Sequence, residues 1–361
     1  MTIWRWAKLF SDTPQEHQVT LGEGDTPLVP SRCLGPSSGL NKLYFKLEST
    51  NPSGSYKDRF GASTISDMLA NGQRRCIATS SGNTGAAVAA YCAATGLACE
   101  IFIVESTPAG KLKQMLAYGA KLYRVRGMGI DPAVSDRVWP LLEQKAARPD
   151  ARLQISAFHY SPEGMAGVQT ISYELSEQAA ASGHDIDHVF SPAGGGGLTL
   201  AVARGFAGLV ERGERAGSPA VHCVQPEGNN TMAGPLREGA QCGQAVTCTS
   251  DISGLQVGSV IDADQTIPAC RASGGTGHLV DDDSTWRAQK RLALEEGIFC
   301  EPAGAVALAG ALDAANRGEV GRDDHVVCLV TGVGFKDPPA VDRMVADCEC
   351  PLIDVEQIGD T

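Results

Sequence analysis

Lys42-Leu-Tyr-Phe-Lys-Leu-Glu48, followed at once by Asn51-Pro-Ser-Gly-Ser-Tyr-Lys-Asp-Arg59, decides how the rest of the chain is read. The first run is extended in pattern; the second is a Pro/Gly/Ser turn that gives way to helical spacing. A lysine held at such a strand-to-helix turn, here Lys57, is placed to act as an amine nucleophile rather than as a solvated charge. The chemistry it suggests is a Schiff base with a carbonyl compound.

The same alternation recurs from about residue 40 to about residue 335. Apolar runs such as Cys99-Glu-Ile-Phe-Ile-Val104, His188-Val-Phe190 and Val326-Val-Cys-Leu-Val330 are each followed by helical periodicity. Strand alternating with helix predicts an α/β fold with mostly parallel twisted sheets flanked by helices. The Ala-rich stretch Asn83 to Thr95, ending at Gly96, reads as a packed helix with a glycine stop. Gly110 to Tyr118 and Thr170 to Ala179 read as covering helices stopped by Gly119 and Gly183. Arg148-Pro-Asp150 and Ser161-Pro-Glu163 bracket a less regular stretch. The expected organisation is a large domain from 1–60 and 151–345, a small mobile domain from 61–150, and a C-terminal tail from 346–361.

Composition narrows the function. A length of 361 residues implies two domains or one large unit, and 43% hydrophobic with 20% charged residues is ordinary for a packed interior. A formal net charge of −12 and the lack of a basic stripe argue against nucleic acid as partner. No window has the apolar length of a membrane span, and Met1 to Lys8 lacks the apolar run of a secretory signal, so a cytoplasmic location is expected. The 12 cysteines are scattered through apolar patterns and read as reduced thiols. Cys348-Glu-Cys350 is the only close pair and has no partners at metal-site spacing, so no metal is expected.

Three further loops carry chemistry. Ser191-Pro-Ala-Gly194-Gly195-Gly196-Gly197-Leu198 lies between a strand and a helix, where bare amides and the helix N-terminus receive a phosphate. It lacks the Lys and Ser/Thr of a nucleotide-triphosphate loop and the spacing of a dinucleotide fingerprint. Thr79-Ser80-Ser81-Gly82-Asn83-Thr84 suits a carboxylate near a helix dipole, and equally suits an ordinary N-cap. Thr331, after the strand ending near Val330, brings a hydroxyl to the carboxyl edge of the sheet, or merely ends the strand. An amine, a phosphate cradle, a carboxylate site and a neutral hydroxyl are what pyridoxal phosphate with an amino-acid substrate requires.

Leu21-Gly-Glu-Gly-Asp-Thr-Pro-Leu28, Ser55-Tyr-Lys-Asp-Arg59, Ser80-Ser-Gly-Asn-Thr84, Gly194 to Gly197, Glu301-Pro-Ala-Gly304 and Thr331-Gly332 occur in an order that resembles the threonine synthase branch of the fold type II, tryptophan synthase β-like pyridoxal phosphate enzymes. The resemblance implies a lyase of amino-acid biosynthesis and a homodimer. It implies that Lys57 holds the cofactor aldehyde, Asn83 bonds its 3-hydroxyl, Gly194 to Gly197 bind its phosphate and Thr331 faces its pyridine nitrogen. Ser80, Ser81 and Thr84 would hold the substrate carboxylate, and Ser156 the substrate's phosphate. The implied reaction is elimination and addition, O-phosphohomoserine to threonine.

The pattern departs in three places. In Ser156-Ala-Phe-His-Tyr-Ser-Pro-Glu-Gly164, Ser161 or its neighbour stands where threonine synthases carry a phosphate-binding Arg. Phe60 replaces a usual Gly, and Val333 a usual polar residue. An enlarged apolar wall beside the substrate is the expectation from these two, with His159 a candidate acid/base or a structural residue. Alternatives are a β-replacing synthase of the cysteate synthase kind using O-phosphoserine, a serine or threonine dehydratase, and a non-catalytic homologue.

Overall fold

The computed structural model describes residues 1–360. Its strands are β1 (Leu28–Pro30), β2 (Lys42–Lys46), β3 (Arg75–Ala78), β4 (Ala98–Val104), β5 (Lys121–Val125), β6 (Ala151–Gln154), β7 (His188–Pro192), β8 (Ala220–Pro226), β9 (Gly277–Val280) and β10 (His325–Leu329). Helices of seven or more residues are α1 (Lys57–Ala70), α2 (Asn83–Thr95), α3 (Ala109–Ala117), α4 (Pro132–Ala146), α5 (Pro162–Val168), α6 (Thr170–Ala181), α7 (Gly197–Glu211), α8 (Ala263–Ala272), α9 (Asp282–Glu296), α10 (Pro302–Asn316) and α11 (Pro338–Met344).

Two sheets result. The larger has six strands in the order β1-β2-β10-β7-β8-β9, parallel except for β1 against β2; the smaller has four parallel strands, β5-β4-β3-β6. Near-continuous apolar strands such as Val326 to Leu329 fit a parallel sheet covered on both faces. The stretch expected to be irregular after Asp150 holds β6, which pairs with β3 from Arg75↔Ala151 to Ala78↔Gln154 and so belongs to the smaller sheet.

The helices lie where the periodicity puts them. Gly96 takes φ +70° directly after α2, a left-handed stop that spares a side chain its steric penalty. Helix α10 is Ala- and Gly-rich because it lies hard against the larger sheet: a Cβ on Gly310 would meet Val224 Cγ1 at 2.6 Å. One apolar cluster, containing Phe60, Ile65, Val88, Ile101, Leu198 and Val202, continues from the smaller sheet's helices into the larger sheet.

A buried ion network sets α1 in place. Arg59 donates to Glu48 and to both carboxylate oxygens of Glu174 at 2.8 Å, and Lys46 Nζ donates to Glu174 at 2.8 Å, all four side chains fully buried. The paired cations hold the Glu174 carboxyl well below its usual range despite burial. This joins β2, α1 and α6 two residues from Lys57, so the helix start has little freedom.

Candidate active site

Lys57 is the first residue of α1 and faces a cleft of about 590 Å³. Its backbone is fixed from the other side as well: Ser55 bridges Gly332, and Tyr56 N–H donates to the Thr331 carbonyl at 3.0 Å. Lys57 Nζ donates to Ser156 Oγ at 2.6 Å, and Ser156 Oγ lies 2.7 Å from Thr84 Oγ1. Burial pushes the amine down to about 7, against the opposing pull of Asp262 and Glu301. A lysine that is neutral near pH 7 is a competent nucleophile and base.

The residues singled out from sequence meet here. Lys57, Ser80, Ser81, Asn83, Thr84, Ser156, Gly194, Gly195, Gly196, Gly197 and Thr331 all line this one cleft. Helix α2 starts at Asn83 with Gly82 as its cap residue and no side-chain cap bond; Ser80 Oγ instead accepts from Gly82 N–H. The Ser80 and Ser81 hydroxyls are therefore not used as N-caps.

The glycine loop has the form of an anion cradle. Gly196 adopts φ +97°, and a Cβ there would meet Thr266 Oγ1 at 2.6 Å, so only glycine fits. The amides of Gly194, Gly195 and Gly196 have no hydrogen-bond partner among the described residues, and α7 begins at Gly197. Bare amides at the head of a 15-residue helix suit a phosphate. The cradle, an amine and the adjoining hydroxyls fit pyridoxal phosphate; Lys57 would hold its aldehyde carbon and Gly194 to Gly197 its phosphate.

Several residues of this site went unread in the sequence. Glu301, the cap residue of α10, accepts from Asn83 Nδ2 at 2.7 Å, which orients that amide; burial raises its carboxyl to about 7. Asp262 accepts from the amides of Phe158 and His159 at 2.8 and 3.1 Å while its own amide donates to Gly195 O, tying the Ser156 segment to the glycine loop. Lys111, Gln114, Gln256, Phe335 and Lys336 also line the cleft. Only Glu301 lay in a recognised motif; the others come from loops or covering-helix positions with no local signal.

The expected apolar wall is corrected in its members. Phe60 is fully buried and packs on Gly164, whose added Cβ would meet the ring at 2.6 Å, and Val333 packs on Gly54; neither lines the cleft. Trp139, Met128, Val104 and Phe335 supply apolar lining instead. Ser161 is buried and accepts from Ile155 N–H at 3.2 Å, outside the cleft, and His159 is exposed with its ring edge-on to Tyr160.

Among the described residues no helix is long and apolar enough to cross a membrane. The model of the pyridoxal-phosphate dependent enzyme family matches residues 19–332. Threonine synthase of Methanosarcina acetivorans is 33% identical over 98% of this chain and 84% of its own length, and that of Methanocaldococcus jannaschii is 33% identical over 94% and 82%. Threonine synthase of Mycobacterium tuberculosis is 32% identical over 94% and 91%. In solved structures, threonine deaminase isoform 2 of Solanum lycopersicum superposes with a TM-score of 0.74 at 21% identity, over 96% of this chain and 94% of that one. Diaminopropionate ammonia lyase of Escherichia coli gives 0.76 at 20%, over 97% and 93%. These two show the shared fold. With a lysine, a glycine cradle and the Ser156 and Thr84 hydroxyls in one cleft, and with relatives of this kind along nearly its whole length, the chain belongs to the pyridoxal-phosphate dependent enzymes of fold type II, in their threonine synthase-like branch.

Proposed function

We propose that this enzyme carries out elimination and addition on an activated amino acid, O-phosphohomoserine to threonine, with the site residues in the roles that the resemblance implies. The observation that carries the reading is the Lys57–Ser156–Thr84 chain of contacts at 2.6 and 2.7 Å, which leads from the amine to the carboxylate-binding loop. When bound, the cofactor supplies an electron sink for charge developing at the substrate's Cα. Ser80, Ser81 and Thr84 hold the substrate carboxylate at the head of α2, where the dipole favours an anion. Asn83, oriented by Glu301, keeps its second N–H and its carbonyl oxygen for the cofactor's 3-hydroxyl.

Lys57 Nζ would take the substrate's Cα proton and return protons later in the cycle, a task suited to an amine whose value burial brings to about 7. Ser156 Oγ accepts from that amine at 2.6 Å and, in the role the resemblance implies, would meet the substrate's phosphate. Thr331 would offer a bound cofactor's ring nitrogen a neutral hydroxyl, which would stabilise a proton there less than a carboxylate. The part built on the smaller sheet is read as a mobile unit, the molecule as a homodimer on the family resemblance, and its compartment as the cytoplasm on its free thiols.

Ser161, with its hydroxyl turned to the backbone where the branch carries a phosphate-binding Arg, supports a second reading: β-replacement on O-phosphoserine. Mass spectrometry of products from a panel of phosphorylated and acetylated hydroxy-amino acids decides between them. Threonine and phosphate from O-phosphohomoserine are expected; a 2-oxo acid with ammonia would mark a dehydratase and overturn the leading reading.

A further inference from the structure

Away from the cleft, α9 and α11 enclose a hollow of about 200 Å³. Asp283, Trp286, Arg287 and Lys290 line it from α9, at the i, i+3, i+4 and i+7 spacing of one helix face, and Arg343 lines it from α11. Ala340 and Met344 add apolar surface.

The charged groups here are arranged but not satisfied. The Arg343 guanidinium lies 3.7 Å over the Trp286 ring, which fixes its plane and leaves its N–H edge without an acceptor among the described residues. Lys290 Nζ has no hydrogen bond or ion pair among them either. Asp283 stands one turn before Arg287, the usual spacing for a helix ion pair. Arg287 nonetheless donates to Ser284 Oγ at 2.6 Å, and the Asp283 carboxylate has no partner among the described residues. A carboxylate and two cations left open beside an aromatic ring complement a molecule that carries an ammonium, a carboxylate and an apolar body.

The hollow also touches segments that end in the cofactor cleft. Gln289, which lines it too, is buried and donates to the Cys300 carbonyl at 2.9 Å. Cys300 precedes Glu301, whose carboxyl orients Asn83. Helix α11 starts from its cap residue Asp337, directly after the cleft residue Lys336. A ligand bridging α9 and α11 therefore bears on both segments.

We propose that this hollow is a second site, for a free apolar α-amino acid, whose occupancy is felt at the cofactor. The ligand's carboxylate pairs with Arg343 and Lys290, its ammonium with Asp283, and its side chain lies against Trp286, Ala340 and Met344. The site does not depend on the reaction proposed above.

The test uses borohydride-reduced holoenzyme, in which the cofactor is fixed and no amino acid can displace it, with L-leucine as probe. Calorimetry is expected to show saturable leucine binding, and weaker binding of N-acetyl-L-leucine, which lacks the ammonium, and of L-leucinamide, which lacks the carboxylate. Fluorescence of the reduced pyridoxyl group should change with the same midpoint. Arg343→Gln should weaken leucine binding about 10-fold, and Arg343→Lys less. Asp283→Asn should weaken it about threefold and narrow the gap between leucine and N-acetyl-leucine. Visible absorption of each variant before reduction reports intact folding. No leucine binding, an affinity unchanged in Arg343→Gln, or inorganic phosphate bound more tightly than leucine overturns the amino-acid site; binding with unchanged fluorescence overturns its link to the cofactor. If the reduced protein carries its label away from Lys57, the attachment fails, while leucine binding that depends on Arg343 still upholds the site.

Discussion

Lys57 derives its reactivity from position rather than from type. Lys46 is buried but tied into an ion network, whereas Lys57 starts a helix, is half-buried in the cleft, and meets a neutral hydroxyl at 2.6 Å. Because burial brings its amine to about 7, the neutral form that attacks an aldehyde grows as pH rises through that value. Mixing apoprotein with pyridoxal phosphate should therefore give visible absorbance at a rate that climbs between about pH 6 and 8 and then levels; a flat profile would contradict the assigned environment. Gly196 offers a second residue-scale test. Gly196→Ala forces a side chain into φ +97° against Thr266, a strain of about 1–2 kcal/mol before any relaxation. The variant should bind cofactor at least 10-fold more weakly in an absorbance titration.

At the scale of elements, the start of α1 is held by charges that touch no ligand. Arg59→Met leaves Glu48 and Glu174 buried with one cation, Lys46, between them, and removing one partner of a buried network costs about 3–5 kcal/mol. The urea midpoint should fall accordingly, whereas a change under 1 kcal/mol would show that the network contributes little. Most elements were legible from sequence because each has a local signal: apolar runs for β4, β7 and β10, and glycine stops after α2 and α6. Strand β6 was not, since Ala-Arg-Leu-Gln has only one long apolar side chain and is a strand by virtue of its pairing with β3. The same limit hid Asp262, Lys111 and Lys336. Their placement at or beside the cleft follows from side-chain hydrogen bonds 103 to 222 residues apart, whereas Lys57 and the glycine loop announce themselves in nine residues or fewer.

Across the whole molecule, a polar chain runs under the larger sheet, away from the cleft. His188 contacts Asp324 at 3.2 Å and His222 at 3.0 Å, and His222 contacts His278 at 3.2 Å. Burial pushes His278 down to about 4 and His222 further. An unfolded histidine takes up its proton near 6.5, so between about pH 6.5 and 4 the unfolded chain binds more protons than the folded one. Stability contributed by these groups is thus complete above about 6.5 and is lost as pH falls toward 4. Urea midpoints should drop across that window, and less steeply in His278→Gln; equal slopes would contradict the assignment. The central claim, one covalent attachment at Lys57 in a cleft that joins the two sheets' loops, is tested most directly by reducing the holoenzyme with borohydride and mapping its peptides. The expected result is a single pyridoxyl label on Lys57; a label on another lysine, or none in cofactor-saturated protein, would contradict it.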